Sequence, residues 1–516
     1  MLVVVFVASL AVLGFRAGDA GLASGHIDPV GQIGAQDEAL YSHSAIRMAR
    51  QGGWLTPMFL GRFGLYKPPV LAWLAGASAR TFGVSPLSLR LPSLLAAALV
   101  CTFAFAWVNA ANPAGAAWAV VVLLWSNHLW HVLARMCLTD ALLSASFVAA
   151  MFAIRRDPAL ERRGPFFGFA IAAAAAIMIK AYAGLMPLIA LAIFCALSRT
   201  RPRPVRLAQL GWLIATLALP WHLYQLAVHP NWFWTVYVQN ELLIYGAGNP
   251  AQTSQDSQVA FYAGRLWALD PPLAVLAVIA LPLAVWRVRR EPVLLAWIGA
   301  VVLGVLAFRY RNVTYLLPLI PALAIAVGKF AVRPNPAGVL LVTACAVFSV
   351  KTLFPDQPWG LCYRSGTTVE AAPALDAYAS KRRSRELILI EPDDHLYAAV
   401  LPLQRVRYCF VGLGELQAHA LDFRGLGIVV SGDEFLELDR HLPAFRERLR
   451  AMDLDSTDPV ATTILAASRE QVVDIIRARP RSDFLLPAHY RDLVIPLPDH
   501  AVEEAPRSKL LLLAQQ

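Results

Sequence analysis

Charge is what this sequence has little of. Only 16% of its 516 residues are Asp, Glu, Lys or Arg, and 58% are hydrophobic. Soluble domains run at about 25% charged, so a soluble globular class is excluded in favour of a multi-span membrane protein. Cysteine is scarce as well: the six present show no C-x-x-C and no Cys/His spacing, which excludes zinc modules and thioredoxin-like redox motifs. Cys101, Cys195 and Cys345 fall inside apolar runs, where a thiol behaves as a small hydrophobe. Cys362 and Cys409 lie in the C-terminal part and could pair as a disulfide if that part is extracytoplasmic. Lysine is rarest of the cations, six among 45 Lys and Arg residues. The net charge of +10 does not point to nucleic acid, because the arginines stand in short tracts between apolar runs, as the positive-inside rule requires of cytoplasmic loops.

The apolar runs and basic tracts predict a polytopic α-helical membrane protein of about eleven spans plus interfacial helices. The run Leu2 to Phe15 has no basic n-region and no small-residue cleavage site, so it reads as a first span and not a signal peptide. Residues 16–90 then form a long outer loop. Leu91 to Val108 return inward, and spans at about 114–130 and 139–154 bracket an outer loop at 131–138. The tracts Arg155 to Arg163, Arg199 to Arg206, Arg287 to Arg290 and Lys329 to Arg333 are basic and fall inside. The intervening loops near 180–182, 223–270 and 309–312 fall outside. Val70 to Phe82 is too short to cross and reads as an interfacial helix.

Residues 1–354 thus make a transmembrane domain, expected to be the catalytic one if the outer loops carry chemistry. Residues 355–516 make an extracytoplasmic α/β accessory domain, which is periplasmic if the membrane is a bacterial inner membrane. In that second part Leu387 to Ile390, Arg407 to Val411 and Gly427 to Val430 read as strands, and Asp433 to Met452 and Ser468 to Arg477 as helices. It carries no Gly-rich phosphate loop and no nucleophile–base triad, which leaves it the part of a lid or accessory.

Residues able to do chemistry gather in the predicted outer loops. Asp37 and Glu38, with Tyr41 a turn later, open an amphipathic helix. Acids are favoured in a first turn on electrostatic grounds alone, but at a membrane surface a carboxylate can also serve as base or cation ligand. Lys67 stands after Tyr66 and before Pro68-Pro69. Proline holds it extended, giving its flexible ammonium a fixed root from which to reach a phosphate; the alternative is snorkelling to lipid headgroups. Asp140 opens an apolar helix, where an ionised group is either a cap or functional.

The ordered set Asp37-Glu38 with Tyr41, Gly52-Gly53-Trp54, Pro57, Tyr66-Lys67-Pro68-Pro69, Arg90-Leu91-Pro92-Ser93 and Asp140 resembles the membrane glycosyltransferases of the GT-C fold. The similarity is greatest to the bacterial branch of lipid A aminoarabinose transferases and protein O-mannosyltransferase relatives. Lys180-Ala181-Tyr182-Ala183-Gly184-Leu185 resembles the family's Lys-Gly-x-x-Gly-Leu turn, with Ala181 for the first Gly. His222, Asn240 and Glu241, and then Arg309, Arg311 and Tyr315, fall where relatives contact donor and phosphate.

The resemblance implies transfer of a sugar, with inversion, from a polyisoprenyl-phosphate donor to a lipid, glycan or protein acceptor at the periplasmic face. Asp37, Glu38 and Asp140 would be catalytic; Lys67, Arg309, Arg311 and Tyr315 would hold the donor phosphate. Tyr41, Tyr66, His222, Asn240 and Glu241 are further candidates. The aminoarabinose transferases carry a metal-associated Glu where this chain has Tyr66, so no cofactor is assigned and a divalent metal stays an open alternative. Two other readings compete: a transporter or flippase of lipid-linked or amphiphilic solutes, and an inactive binding relative. Few acids interrupt the apolar spans, and the suggestive groups collect at one face, which favours surface chemistry over passage.

Overall fold

The computed structural model describes residues 1–15, 17–18, 35–59, 62–63, 67–112, 114–234, 237–239, 257–269, 291–307 and 311–330, together with short segments between 386 and 515. Helix α1 spans Leu2–Gly14, α2 Ala35–Gln51 and α3 Val70–Phe82; a two-stranded hairpin, β1 (Met58–Phe59) with β2 (Arg62–Phe63), lies between α2 and α3. At 13 residues α3 is about 20 Å long, too short to cross, and its bounds are those expected of the interfacial helix.

Helix α4, Pro86–Asn109, is about 36 Å long and apolar enough to span. Its start is over-determined. Ser85 accepts from the Ser88 N–H at 3.1 Å, Ser88 Oγ accepts from the Ser85 N–H at 3.0 Å, and Pro86 occupies a position whose N–H would be unpaired anyway.

Helices α5 (Ala114–Ser126) and α6 (His128–Ala134) meet at 71°. The single span expected over 114–130 is thus corrected to a broken one. Asn127 causes the break: its Oδ1 accepts from the Trp130 N–H at 2.7 Å, so its side chain caps a new helix instead of letting the old one continue. The expected loop at 131–138 shrinks to residues 135–138, after which α7 runs from Thr139 to Arg156.

Helix α8, Arg163–Lys180, ends in a 3-10 turn, Ala181–Leu185, before α9, Met186–Leu197. Two features bend the chain there. Ala181 adopts φ 45°, and Gly184 packs so closely on α8 that a Cβ would stand 2.2 Å from the Ala176 carbonyl oxygen.

The expected loop over 223–270 is also corrected. Helix α10 extends from Pro204 to Val228, a single turn α11 covers Pro230–Trp232, and α12 covers Gln258–Leu269. Helix α13 (Pro292–Ala307) packs on α9, and α14 (Leu319–Phe330) on α5. Pro86–Asn109 and Arg163–Leu197 are each long and apolar enough to cross a membrane, and the bent α5–α6 pair is a third such unit; Leu2–Gly14, Pro292–Ala307 and Val313–Lys329 are shorter apolar helices.

Toward the C-terminus, β3 (Glu386–Ile390) and β4 (Arg407–Leu413) occupy the first two expected strand positions. They join β5 (Ala461–Ala466), β6 (Asp483–Pro487), β7 (His500–Glu504) and β8 (Leu510–Gln515) in a sheet ordered β5-β4-β3-β6-β8-β7. The first four strands are parallel and the last two join antiparallel. The strand expected at 427–430, the helix expected over 433–452, Cys362 and the side chain of Cys409 lie outside the described residues.

Candidate active site

The acidic pair of α2 is split by the fold. Glu38 is fully buried and grips Arg90 of α4 through both oxygens, at 2.7 and 2.8 Å. A third donor, the backbone N–H of Cys137, reaches Glu38 Oε1 at 2.8 Å, and Arg90 donates in turn to the Ala17 carbonyl at 2.9 Å. A bidentate guanidinium–carboxylate pair with its remaining polar capacity spent on backbone is the arrangement in which two buried charges can be tolerated. Glu38, expected to be catalytic by positioning acceptor or cation, joins α2, α4 and the connection at 135–138 through these contacts.

Ser93 completes the brace by donating to the Leu138 carbonyl at 3.2 Å. Tyr41 is buried one turn from Glu38, within the core. The backbone of Asp37 lies in α2, and its side chain is outside the described residues.

The brace fixes where α7 begins, and hence where Asp140 stands. Asp140 lies in the first turn of α7 and Lys180 in the last turn of α8, each at the helix end whose dipole favours its charge. Lys180 Nζ donates to Asp140 Oδ1 at 2.6 Å, with only 10% and 8% of the two side chains exposed. The Lys180 ammonium also sits 5.3 Å from the centre of the Tyr315 ring, and the Lys67 ammonium 6.0 Å from the centre of the Tyr182 ring.

Asp140, Lys180, Tyr182, Thr314 and Tyr315 line one narrow cleft, closed on its apolar side by Met186 and neighbours. Lys67 is not part of the lining but lies 6.0 Å from the centre of the Tyr182 ring, which is. A wider apolar groove, lined among others by Leu55, Trp73, Met178, Trp221 and Tyr224, runs beside the last turns of α8.

The structure thus brings together Asp140 and Tyr315 of the expected residues, with Lys67 near Tyr182 of the same cleft's lining. Lys180 and Tyr182 were legible only as parts of a turn motif; the available signal was a lysine, one of six, ending an apolar run, where a charge is costly unless it has a task. Arg311 is held elsewhere, 5.6 Å from the Phe261 ring centre, and it is absent from the cleft lining. His222 is also engaged away from it: Nδ1–H donates to the Ala218 carbonyl at 2.8 Å, so Nε2 of the neutral ring accepts from the Tyr237 hydroxyl at 2.8 Å. Tyr66, Asn240, Glu241 and Arg309 lie outside the described residues.

Among the described residues no three His, Cys, Asp or Glu side chains stand together as a metal set. Glu38 and Asp140 are each bound to a cationic side chain. The donor set at hand does not suit a divalent cation, and no catalytic step is routed through one.

Comparison with known proteins agrees with this geometry. Residues 66–234 match the family model of dolichyl-phosphate-mannose-protein mannosyltransferases. An uncharacterized protein of Aquifex aeolicus (strain VF5) is 25% identical over 66% of this chain and 71% of its own. The undecaprenyl phosphate-alpha-4-amino-4-deoxy-L-arabinose arabinosyl transferase of Aeromonas salmonicida (strain A449) is 26% identical over 57% of this chain and 55% of its own. In fold, the chain is similar to the crystal structure of ArnT from Cupriavidus metallidurans in the apo state, with a TM-score of 0.68 and 16% identity over 99% of this chain and 97% of that one. The same protein bound to undecaprenyl phosphate gives 0.66 and 17% over the same shares. The chain thus shares the fold of ArnT and is similar in sequence to the arabinosyl transferase and, over residues 66–234, to the dolichyl-phosphate-mannose-protein mannosyltransferases.

Proposed function

We propose that this chain is a glycosyltransferase that takes a sugar from a polyisoprenyl-phosphate donor and gives it, with inversion, to a lipid, glycan or protein acceptor at the periplasmic face of a bacterial inner membrane. The observation that carries the reading is the cleft itself, where the Lys180 ammonium, two tyrosine rings and one carboxylate converge, with the Lys67 ammonium 6.0 Å from the centre of one of those rings, in a molecule that also carries an apolar groove. Cations together with hydrocarbon-lined space suit an amphiphile with a phosphate head and an isoprenoid tail, the kind of ligand bound by the solved relative.

In the reaction the acceptor oxygen attacks the anomeric carbon. The new glycosidic C–O bond forms as the bond from that carbon to the phosphate oxygen breaks, and the electron pair leaves with polyisoprenyl phosphate. Asp37 takes the acceptor's proton. Lys67, with the Tyr315 hydroxyl and the positive charge of Arg309, stabilises the charge growing on the leaving phosphate, where low dielectric makes each such contact worth more than in water. The region 355–516 covers the acceptor as a periplasmic lid.

The test is incubation of purified protein with polyisoprenyl-phosphate sugars while released polyisoprenyl phosphate is followed by mass spectrometry. Release that Asp37→Asn and Lys67→Ala abolish supports the reading. Movement of sugar lipid across vesicles without cleavage would make the protein a flippase instead.

A further inference from the structure

Lys180 and Asp140 face the cleft yet satisfy each other across it, at 2.6 Å and nearly out of solvent. A lysine placed to meet an anionic headgroup is neutralised by the carboxylate beside it. Both partners have fixed roots. Asp140 is held at the start of α7 by the Glu38–Arg90–Cys137 brace, and its carbonyl accepts from Ser144 Oγ at 2.9 Å. Lys180 ends α8 where the chain is locked by the φ of Ala181 and by Gly184 packed on Ala176. Only the ammonium, on its flexible four-carbon stem, is free to choose a partner, and the Tyr315 ring gives it a second resting place inside the same cleft.

We infer that the Asp140–Lys180 pair is a latch that the donor's phosphate opens: the anionic phosphodiester takes the Lys180 ammonium from Asp140, and Asp140 reclaims it when polyisoprenyl phosphate must leave. The inference rests on the proposed donor class and adds to it a residue, Lys180, and a competition. A phosphate entering the cleft meets Lys180 at the expense of an existing ion pair, so part of its attraction is cancelled. The freed Asp140 carboxylate then repels the spent phosphate and hastens its departure. The competition has an unusual signature, because removing a negative charge from the site improves binding of the product while slowing the cycle.

The experiment measures undecaprenyl phosphate binding to the detergent-purified full chain by tryptophan fluorescence, together with steady-state turnover. Wild type, Asp140→Asn, Lys180→Met and Lys180→Arg are compared. The latch requires Asp140→Asn to bind undecaprenyl phosphate roughly tenfold more tightly, with kcat and KM both falling, whereas Lys180→Met binds it roughly tenfold more weakly and Lys180→Arg recovers binding. A purely structural ion pair predicts the opposite pattern: Asp140→Asn and Lys180→Met lower thermal stability together, and neither tightens binding. Asparagine keeps an oxygen that accepts from Lys180, so Asp140→Asn can fold even where Lys180→Met does not, and its affinity alone decides. Unchanged or weaker binding by Asp140→Asn, with normal binding by wild type, overturns the latch and leaves the donor class standing. Absence of binding by wild type overturns the donor class, and the latch with it.

Discussion

At the scale of single residues, local strain is clearest at Ala181. The turn after α8 uses φ 45° at that position, a region that costs an L residue about 1 kcal/mol or more and costs glycine little. This chain carries that strain beside Lys180. Ala181→Gly is expected to raise thermal stability in detergent by an amount equivalent to about 1 kcal/mol; a loss of stability would show that the methyl group has a packing role instead.

Cys137 supplies a second prediction. Burial, and then the charge of Glu38, push its thiol up to about 12. A pKa raised that far keeps the thiol protonated throughout the physiological range, and thiolate appears only as pH approaches 12. Maleimide at pH 7 to 8 is therefore expected to leave Cys137 unlabelled until the protein is denatured. Rapid native labelling would contradict the tight connection at 135–138.

At the scale of elements, the Glu38–Arg90 pair does for α2 and α4 what hydrophobic packing does elsewhere. Removing one member leaves the other charged, buried and uncompensated, so Glu38→Gln should cost about 3 kcal/mol or more. Replacing both, as Glu38→Leu with Arg90→Met, should cost markedly less. Thermal unfolding of the two single variants and the double variant closes the cycle, and a double variant as damaged as the sum of the singles would refute the pairing argument.

The same elements show what could be read without coordinates. The bounds of α3 follow from a short apolar run after two prolines, and β3 and β4 from compact runs such as Leu387 to Ile390. The bend at Asn127 was hidden because one polar side chain capping a helix outweighs the apolar residues on either side of it. The pairing of Glu38 with Arg90, 52 positions apart, is tertiary and leaves no local periodicity. Adjacent acids at a helix start therefore looked alike, although the fold buries Glu38 in a brace. Strand β8 carried its own sign in the run Leu510 to Leu513, which was not among the expected strands.

At the scale of the whole molecule, α7, α8, α9 and α13 line the cleft, and the ends of α7 and α8 supply its charges. A charged cleft and a separate apolar groove in one helical body suit the amphiphilic donor proposed above. The measurement that bears most directly on this account is release of polyisoprenyl phosphate from a polyisoprenyl-phosphate sugar by reconstituted protein, comparing wild type with Lys67→Ala. The account predicts sugar transfer by wild type and a fall of about a hundredfold or more in Lys67→Ala, the scale seen when a donor to a developing anion is lost. Equal transfer by both proteins, or cleavage of no donor by the wild type, would contradict it.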